Sequence, residues 1–121
     1  MSEKIKIYHN PRCRKSREVF HLLTEKSIDF DTVLYLNQPP SKDTVSWLFN
    51  TYLGNPEDLI RKNETLWKEN FKGKSMTKEA IIESVTKHPI LLERPLLVTE
   101  DSVILGRPLE NISSFLQRNT Y

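Results

Sequence analysis

The sequence predicts an α/β protein with a mixed central sheet flanked by helices and a helical insertion between the second and third strands. Three observations point there. Ile5 and Ile7 alternate with lysines in an opening strand-like run, apolar residues at helical spacing follow at once, and the chain closes on two short strand candidates and an amphipathic helix. At 121 residues the chain can enclose one modest core without metal or disulfide staples, so we expect a single domain over 1–121 with the insertion at about 37–90.

Taken in order, Lys4 to Tyr8 is the first strand, broken by Asn10-Pro11. From Cys13 to about Lys26, Val19, Leu22 and Leu23 recur at helical spacing, which sets Cys13 at the N-terminal end of a helix. Asp29 to Leu36 reads as the second strand, closed by Asn37-Gln38-Pro39-Pro40, and a crossover of this kind makes the first two strands parallel. Ser41 is the N-cap of the next helix, with Asp43 in its first turn, a stripe of Val45, Leu48, Phe49 and Tyr52, and Gly54 as its end. Asn55-Pro56-Glu57-Asp58 restarts a short helical piece by cap plus proline.

Arg61 to Lys74 is polar apart from Trp67 and Phe71 and reads as a short helix or an ordered surface loop. Ser75 or Thr77 caps a helix whose Ile81, Ile82 and Val85 form a narrow apolar side, and His88-Pro89 stops it. Leu96 to Thr99 and Ser102 to Leu105 suit a hairpin across Glu100-Asp101. Gly106 then turns the chain, Pro108 fits the first turn of a last helix, and Leu109, Ile112, Phe115 and Leu116 give that helix its buried side.

With 37% apolar and 28% charged residues the composition is that of an ordinary globular protein, and the apolar stretches are too short to cross a bilayer. Met1 to Lys6 runs into Tyr-His-Asn-Pro where a secretory leader needs an apolar stretch, so a cytoplasmic, reducing location is expected. A formal charge of +2 gives no reason to expect nucleic-acid or membrane partners. His9, His21 and His88 are too scattered to suggest a metal motif, and we expect no metal site and no bound cofactor.

The chemistry centres on Cys13, the one cysteine in the sequence. Arg12, Arg14, Lys15 and Arg17 surround it with no acid among them, whereas a helix N-terminus ordinarily attracts acids. A thiol at a helix start among cations is biased toward the thiolate, and the same free N–H groups and charges bind an oxyanion. Ser16, one turn on, is placed to direct its hydroxyl toward the sulfur, and His9 and Asn10 belong to the same loop. With a single cysteine no intrachain disulfide can form, so disulfide chemistry needs an outside thiol. Arg61, Arg94 and Arg107 each lie where apolar structure meets a turn, positions from which a side chain reaches a site while its backbone is fixed.

Tyr8-His9-Asn10-Pro11-Arg12-Cys13-Arg14-Lys15-Ser16-Arg17, Leu59-Ile60-Arg61, His88-Pro89-Ile90-Leu91-Leu92-Glu93-Arg94-Pro95 and Gly106-Arg107-Pro108 together resemble the thioredoxin-fold arsenate reductases of the glutathione/glutaredoxin-dependent type. The resemblance spans nearly the whole chain and implies a thioredoxin-like fold. It implies Cys13 as nucleophile, Ser16 and Arg17 as stabilisers of its thiolate, Arg61, Arg94 and Arg107 as a triad around the arsenic oxyanion, and Pro95 as a cis-proline. It implies arsenate as substrate, glutathione as co-substrate and glutaredoxin as protein partner. Two positions depart from the pattern: Arg14 follows the nucleophile where many relatives have a small or neutral residue, and Lys62-Asn63-Glu64-Thr65 replaces the threonine-lysine-glutamate run expected after Arg61. Two rival readings share the fold, a glutathione-dependent thiol oxidoreductase and an RNA-polymerase-binding redox regulator. The regulators commonly carry a second cysteine where this chain has Ser16.

Overall fold

The computed structural model describes residues 5–118, so Lys4, the expected start of the first strand, lies outside the described residues. The chain forms two compact units, one running through Tyr35 and resuming at Arg94, the other Leu36–Glu93.

The first unit carries the sheet. Strand β1 (Ile5–Tyr8) pairs in parallel with β2 (Phe30–Val33) and antiparallel with β3 (Leu96–Val98), and β3 continues into a hairpin with β4 (Val103–Leu105), giving the order β2-β1-β3-β4. Helix α1 (Arg14–Glu25) joins β1 to β2, and α5 (Glu110–Arg118) closes the unit. Ile5 and Ile7 point to one face by the two-residue period of a strand, and Leu97 lies opposite Ile7 on that face. Val19 and Leu23 of α1 and Ile112, Phe115 and Leu116 of α5 bury against these three side chains, which fixes the end of β1 and the start of α1 where Cys13 sits. The mixed sheet with flanking helices is the thioredoxin-like fold that the sequence predicts.

The second unit is helical. Helix α2 (Lys42–Thr51) starts at Ser41, whose hydroxyl accepts from the Thr44 N–H, and α4 (Lys78–Lys87) starts at Thr77, which accepts from the Ala80 N–H. These two helices pack together, with Lys42 bonded to Glu83 at 3.1 Å and Lys78 to Asn50 at 3.3 Å along their exposed sides. Between them lie a 3-10 turn, Pro56–Leu59, capped by Asn55, and α3 (Thr65–Asn70), anchored by buried Trp67 against Phe71 at 5.3 Å. A second 3-10 turn, Pro89–Leu91, follows α4.

Several boundaries differ from expectation. The second strand stops at Val33 rather than Leu36, α2 ends at Thr51 well before Gly54 because Tyr52 is already extended (φ −60°, ψ 127°), and Thr77 rather than Ser75 caps α4. Pro108 is not in the first turn of α5. Bonds from the Asn111 N–H to the Pro108 carbonyl and from the Ile112 N–H to the Leu109 carbonyl make a tighter turn that leads into the helix at Glu110.

Candidate active site

The loop after β1 is held largely by its own polar atoms. The Cys13 N–H donates to the Asn10 carbonyl at 2.9 Å, the Arg12 N–H donates to Asn10 Oδ1 at 3.0 Å, and Cys13 takes an extended conformation (φ −96°, ψ 122°) as the N-cap of α1. Ser16, fully buried, sits behind the loop. Its Oγ accepts from the Asn10 N–H at 3.0 Å and lies 2.7 Å from His9 Nδ1. His9 is anchored in turn by its N–H to the Val33 carbonyl and by its ring stacked on Phe20 at 5.3 Å. Burial and the Arg17 charge hold its imidazole below the usual histidine range, which keeps it neutral as a hydrogen-bonding group.

Two arginines from the other end of this unit reach the sulfur. Arg107 donates from Nη2 to Cys13 Sγ at 3.2 Å and from Nε to the Arg94 carbonyl at 2.6 Å. Asn111 ties down the turn carrying Arg107 by donating to the Leu105 carbonyl at 3.1 Å and the Arg107 carbonyl at 3.3 Å. Arg94, buried at 7% exposure, also hydrogen-bonds the Cys13 sulfur and the hydroxyl of Tyr35. Burial pushes the Cys13 thiol up, but the Ser16 backbone N–H, the Arg94 hydrogen bond and the charges of Arg107 and Arg94 outweigh it, so the thiol lies below its ordinary value. For Arg94 burial works against the charge, while Tyr35 and Cys13 more than restore it and raise its value.

The cations nearest to Cys13 in sequence do other things. Arg17 donates to the Pro11 carbonyl at 2.9 Å, Arg14 pairs with Glu18 at 3.7 Å on an exposed face, and the Arg12 side chain is exposed. Ser16 turns its hydroxyl to His9 and Asn10, and its backbone N–H serves the sulfur. The Arg94–Pro95 peptide is cis, as the resemblance implies, and so is Arg107–Pro108, which no expectation covers.

Arg61 belongs to the second unit. An isolated bridge between Ile60 and Leu92, flanked by bonds from the Arg61 N–H to the Leu91 carbonyl and from the Glu93 N–H to the Leu59 carbonyl, both 2.8 Å, sets Arg61 beside Glu93. Its guanidinium is then shared by Glu93 at 3.0 Å and Glu64 at 3.3 Å. Sequence reasoning missed these two partners and Tyr35. Glu64, three residues after Arg61 in a helix start, had a readable spacing; Tyr35 looked like one more strand residue.

Among the described residues no group of three or more His, Cys, Asp or Glu side chains could hold a metal ion, and no helix is long and apolar enough to cross a membrane.

A thioredoxin-like fold with an arginine-assisted cysteine at the start of its first helix defines an oxidoreductase of the arsenate-reductase type. The ArsC family profile matches residues 8–115, and the chain belongs to that family. It is 39% identical over 114 residues to the uncharacterized protein YfgD of Escherichia coli (strain K12), covering 93% of this chain and 96% of that one. It is 37% identical over 115 residues to the arsenate reductase of Neisseria meningitidis serogroup B, covering 93% and 98%. Among solved structures, the arsenate reductase from Vibrio cholerae superposes with a TM-score of 0.85 at 32% identity, covering 94% of this chain and 98% of that one.

The glutathione/glutaredoxin-dependent type that the resemblance implies does not hold for this chain. Cys13 is the one cysteine in the sequence, and a single-cysteine, arginine-assisted site fits the thioredoxin-dependent subtype.

Proposed function

We propose that this chain reduces arsenate to arsenite through Cys13, with an external dithiol of the thioredoxin type as reductant. The observation that carries the reading is the Cys13 sulfur lying 3.2 Å from the Arg107 guanidinium, with Arg94 bonded to the same atom. Guanidinium forks both keep the sulfur ionised and neutralise an incoming tetrahedral oxyanion. The relatives named as arsenate reductases supply the substrate.

In the first step the Cys13 thiolate attacks arsenic, a sulfur–arsenic bond forms, and one arsenate oxygen takes up protons and leaves as water. A thiolate of the external dithiol then attacks the Cys13 sulfur. The sulfur–arsenic electron pair goes to arsenic, which departs as arsenite two electrons richer, and a mixed disulfide remains. The second thiol of the donor resolves that disulfide, returning Cys13 as thiolate and the donor as its own disulfide. Because one cysteine cannot complete this cycle alone, a separate reductant is required. A reducing cytoplasm is the compartment that keeps such a thiol usable.

An arsenite-release assay tests the reading, run in parallel with thioredoxin plus its reductase and with glutathione plus glutaredoxin. Release with the thioredoxin system, lost in Cys13→Ser and strongly reduced in Arg94→Ala, is the expected result. Normal release from Cys13→Ser rejects the nucleophile. Release only with glutathione and glutaredoxin rejects the donor while leaving the Cys13 chemistry intact, and no release with either rejects arsenate.

A further inference from the structure

Among the described residues Tyr35 is the largest fully buried side chain, and nothing in the chemistry above uses it. It lies two residues beyond the end of β2, with its ring stacked on Tyr8 at 6.4 Å and 29°; Tyr8 is the last residue of β1, immediately ahead of the cysteine loop. A buried phenol needs a polar partner, since an unmatched hydroxyl costs about 1–3 kcal/mol by mutational measures. Its partner is Arg94, itself buried, and because a guanidinium only donates, the phenol oxygen is the acceptor.

The bonds run in one direction. Arg94 sits between the Tyr35 oxygen and the Cys13 sulfur, and the Arg94 carbonyl accepts from Arg107, which also touches the sulfur. Tyr35 thus acts on the Arg94 guanidinium, while Arg107 is held separately by the Arg94 backbone carbonyl. The Tyr8 stack and full burial hold the ring that orients Arg94.

We infer that Tyr35 is a positioning residue whose buried phenol oxygen holds the Arg94 guanidinium against the Cys13 sulfur, ready for the oxyanion. The oxyanion part of this inference rests on the arsenate reading above; the positioning part does not. With the oxygen removed, Arg94 keeps its charge but samples other directions, so the thiolate loses a directed donor and the anion loses half of a fixed clamp.

The test is a thiol titration, which needs no arsenate turnover. The rate of Cys13 alkylation by iodoacetamide is followed against pH in the wild type, Tyr35→Phe, Arg94→Ala and the double variant. Tyr35→Phe keeps the ring on Tyr8 and is expected to move the midpoint up by roughly 0.5–1 pH unit. In the Arg94→Ala background the same change is expected to move it no further, because the oxygen acts through the guanidinium. An unchanged midpoint in Tyr35→Phe overturns the inference, and so does an equal shift in both backgrounds. Should Tyr35→Phe not fold, the wild-type chain with isotope-labelled tyrosine serves instead. Alkylating Cys13 removes the thiolate from Arg94 and must shift the Tyr35 ring resonance, and an unmoved resonance overturns the coupling. If arsenate reduction fails while these thiol results hold, the substrate is wrong and the positioning role stands.

Discussion

Arg107 donates to the sulfur of Cys13 across 94 residues of sequence, and the same guanidinium spans to the backbone of Arg94. The consequence is a thiol that ionises more readily in the folded chain than in the unfolded one. For an acid whose folded value is depressed, the linked stability is present in full above the unfolded value and is lost as pH falls through the folded value. Against an ordinary thiol value of 9.0, the wild type should gain stability relative to Cys13→Ser as pH rises toward that value. Urea denaturation of the two chains at intervals from neutral pH to that value measures the difference. A gap that stays constant, or one that narrows with rising pH, contradicts the assignment. Arg107→Ala should narrow the gap, leaving the part carried by the Ser16 N–H and Arg94.

Gly106 is required by close approach rather than by its backbone angles. A Cβ there would lie 2.8 Å from Pro95 Cγ and 3.0 Å from Val19 Cγ2, while the Gly106 N–H is already bonded to the Pro95 carbonyl at 2.9 Å. Val19 is a core residue with no room to retreat. Gly106→Ala should therefore destabilise by about 1–3 kcal/mol. It should also blunt Cys13 alkylation near neutral pH, because the next residue is Arg107. Denaturation within a few tenths of wild type would mean that Pro95 yields easily.

Ser27 stands in the left-handed region, at φ 56°, just after the C-cap of α1. Its N–H bonds the Thr24 carbonyl and the Ile28 N–H bonds the Leu23 carbonyl, a helix ending that glycine usually occupies. A left-handed residue with a Cβ costs about 1–2 kcal/mol, part of which glycine returns as chain entropy. Ser27→Gly should thus stabilise by roughly 0.5 kcal/mol, read as a higher denaturation midpoint with unchanged slope.

The core positions were the most legible part of the sequence. Helical spacing alone marks Leu23 and Val85, and both are fully buried, each in its own unit. Leu23→Ala and Val85→Ala should each cost on the order of 1–4 kcal/mol, the loss of transfer energy plus a cavity. Chemical denaturation showing either within a few tenths of wild type would refute the helix face concerned. Periodicity succeeds at these places because α1 and α4 each bury one stripe. It was ambiguous over Arg61 to Lys74, where α3 is only six residues long and a single tryptophan is buried.

The site was legible in a different way. The loop and its nucleophile stood out locally, because a cationic helix start without acids is unusual, and α1 indeed has no acid in its first turn. The local pattern, though, points first to the cations beside Cys13 in sequence, Arg12, Arg14 and Arg17. Side chains on a helix fan out by about 100° per residue, so Arg14 and Arg17 leave toward Glu18 and Pro11 rather than converging on residue 13. The guanidiniums that do converge come from Arg94, just ahead of β3, and Arg107, after β4; their boundary positions mark them as candidates, and the family resemblance is what groups them with Cys13. Tyr35 could not be found even so, because its burial and its acceptor role depend on where Arg94 ends up.

Arg107 offers the sharpest check on the chemistry because it uses two nitrogens for two different jobs. Nε fixes the guanidinium to the Arg94 carbonyl and Nη2 faces the sulfur. Lysine retains the charge but has one nitrogen at the end of a flexible stem, so it can meet one partner at a time. Arg107→Lys should keep the thiol more acidic than Arg107→Ala does, since the charge survives. It should nevertheless lower kcat/KM for arsenate by roughly tenfold or more, the equivalent of one charge-assisted hydrogen bond at about 1.5–3 kcal/mol. Alkylation profiles and arsenite release measured on both variants separate the two contributions. If Arg107→Lys turns over arsenate like the wild type, charge alone suffices and the fork geometry has no role in the reaction.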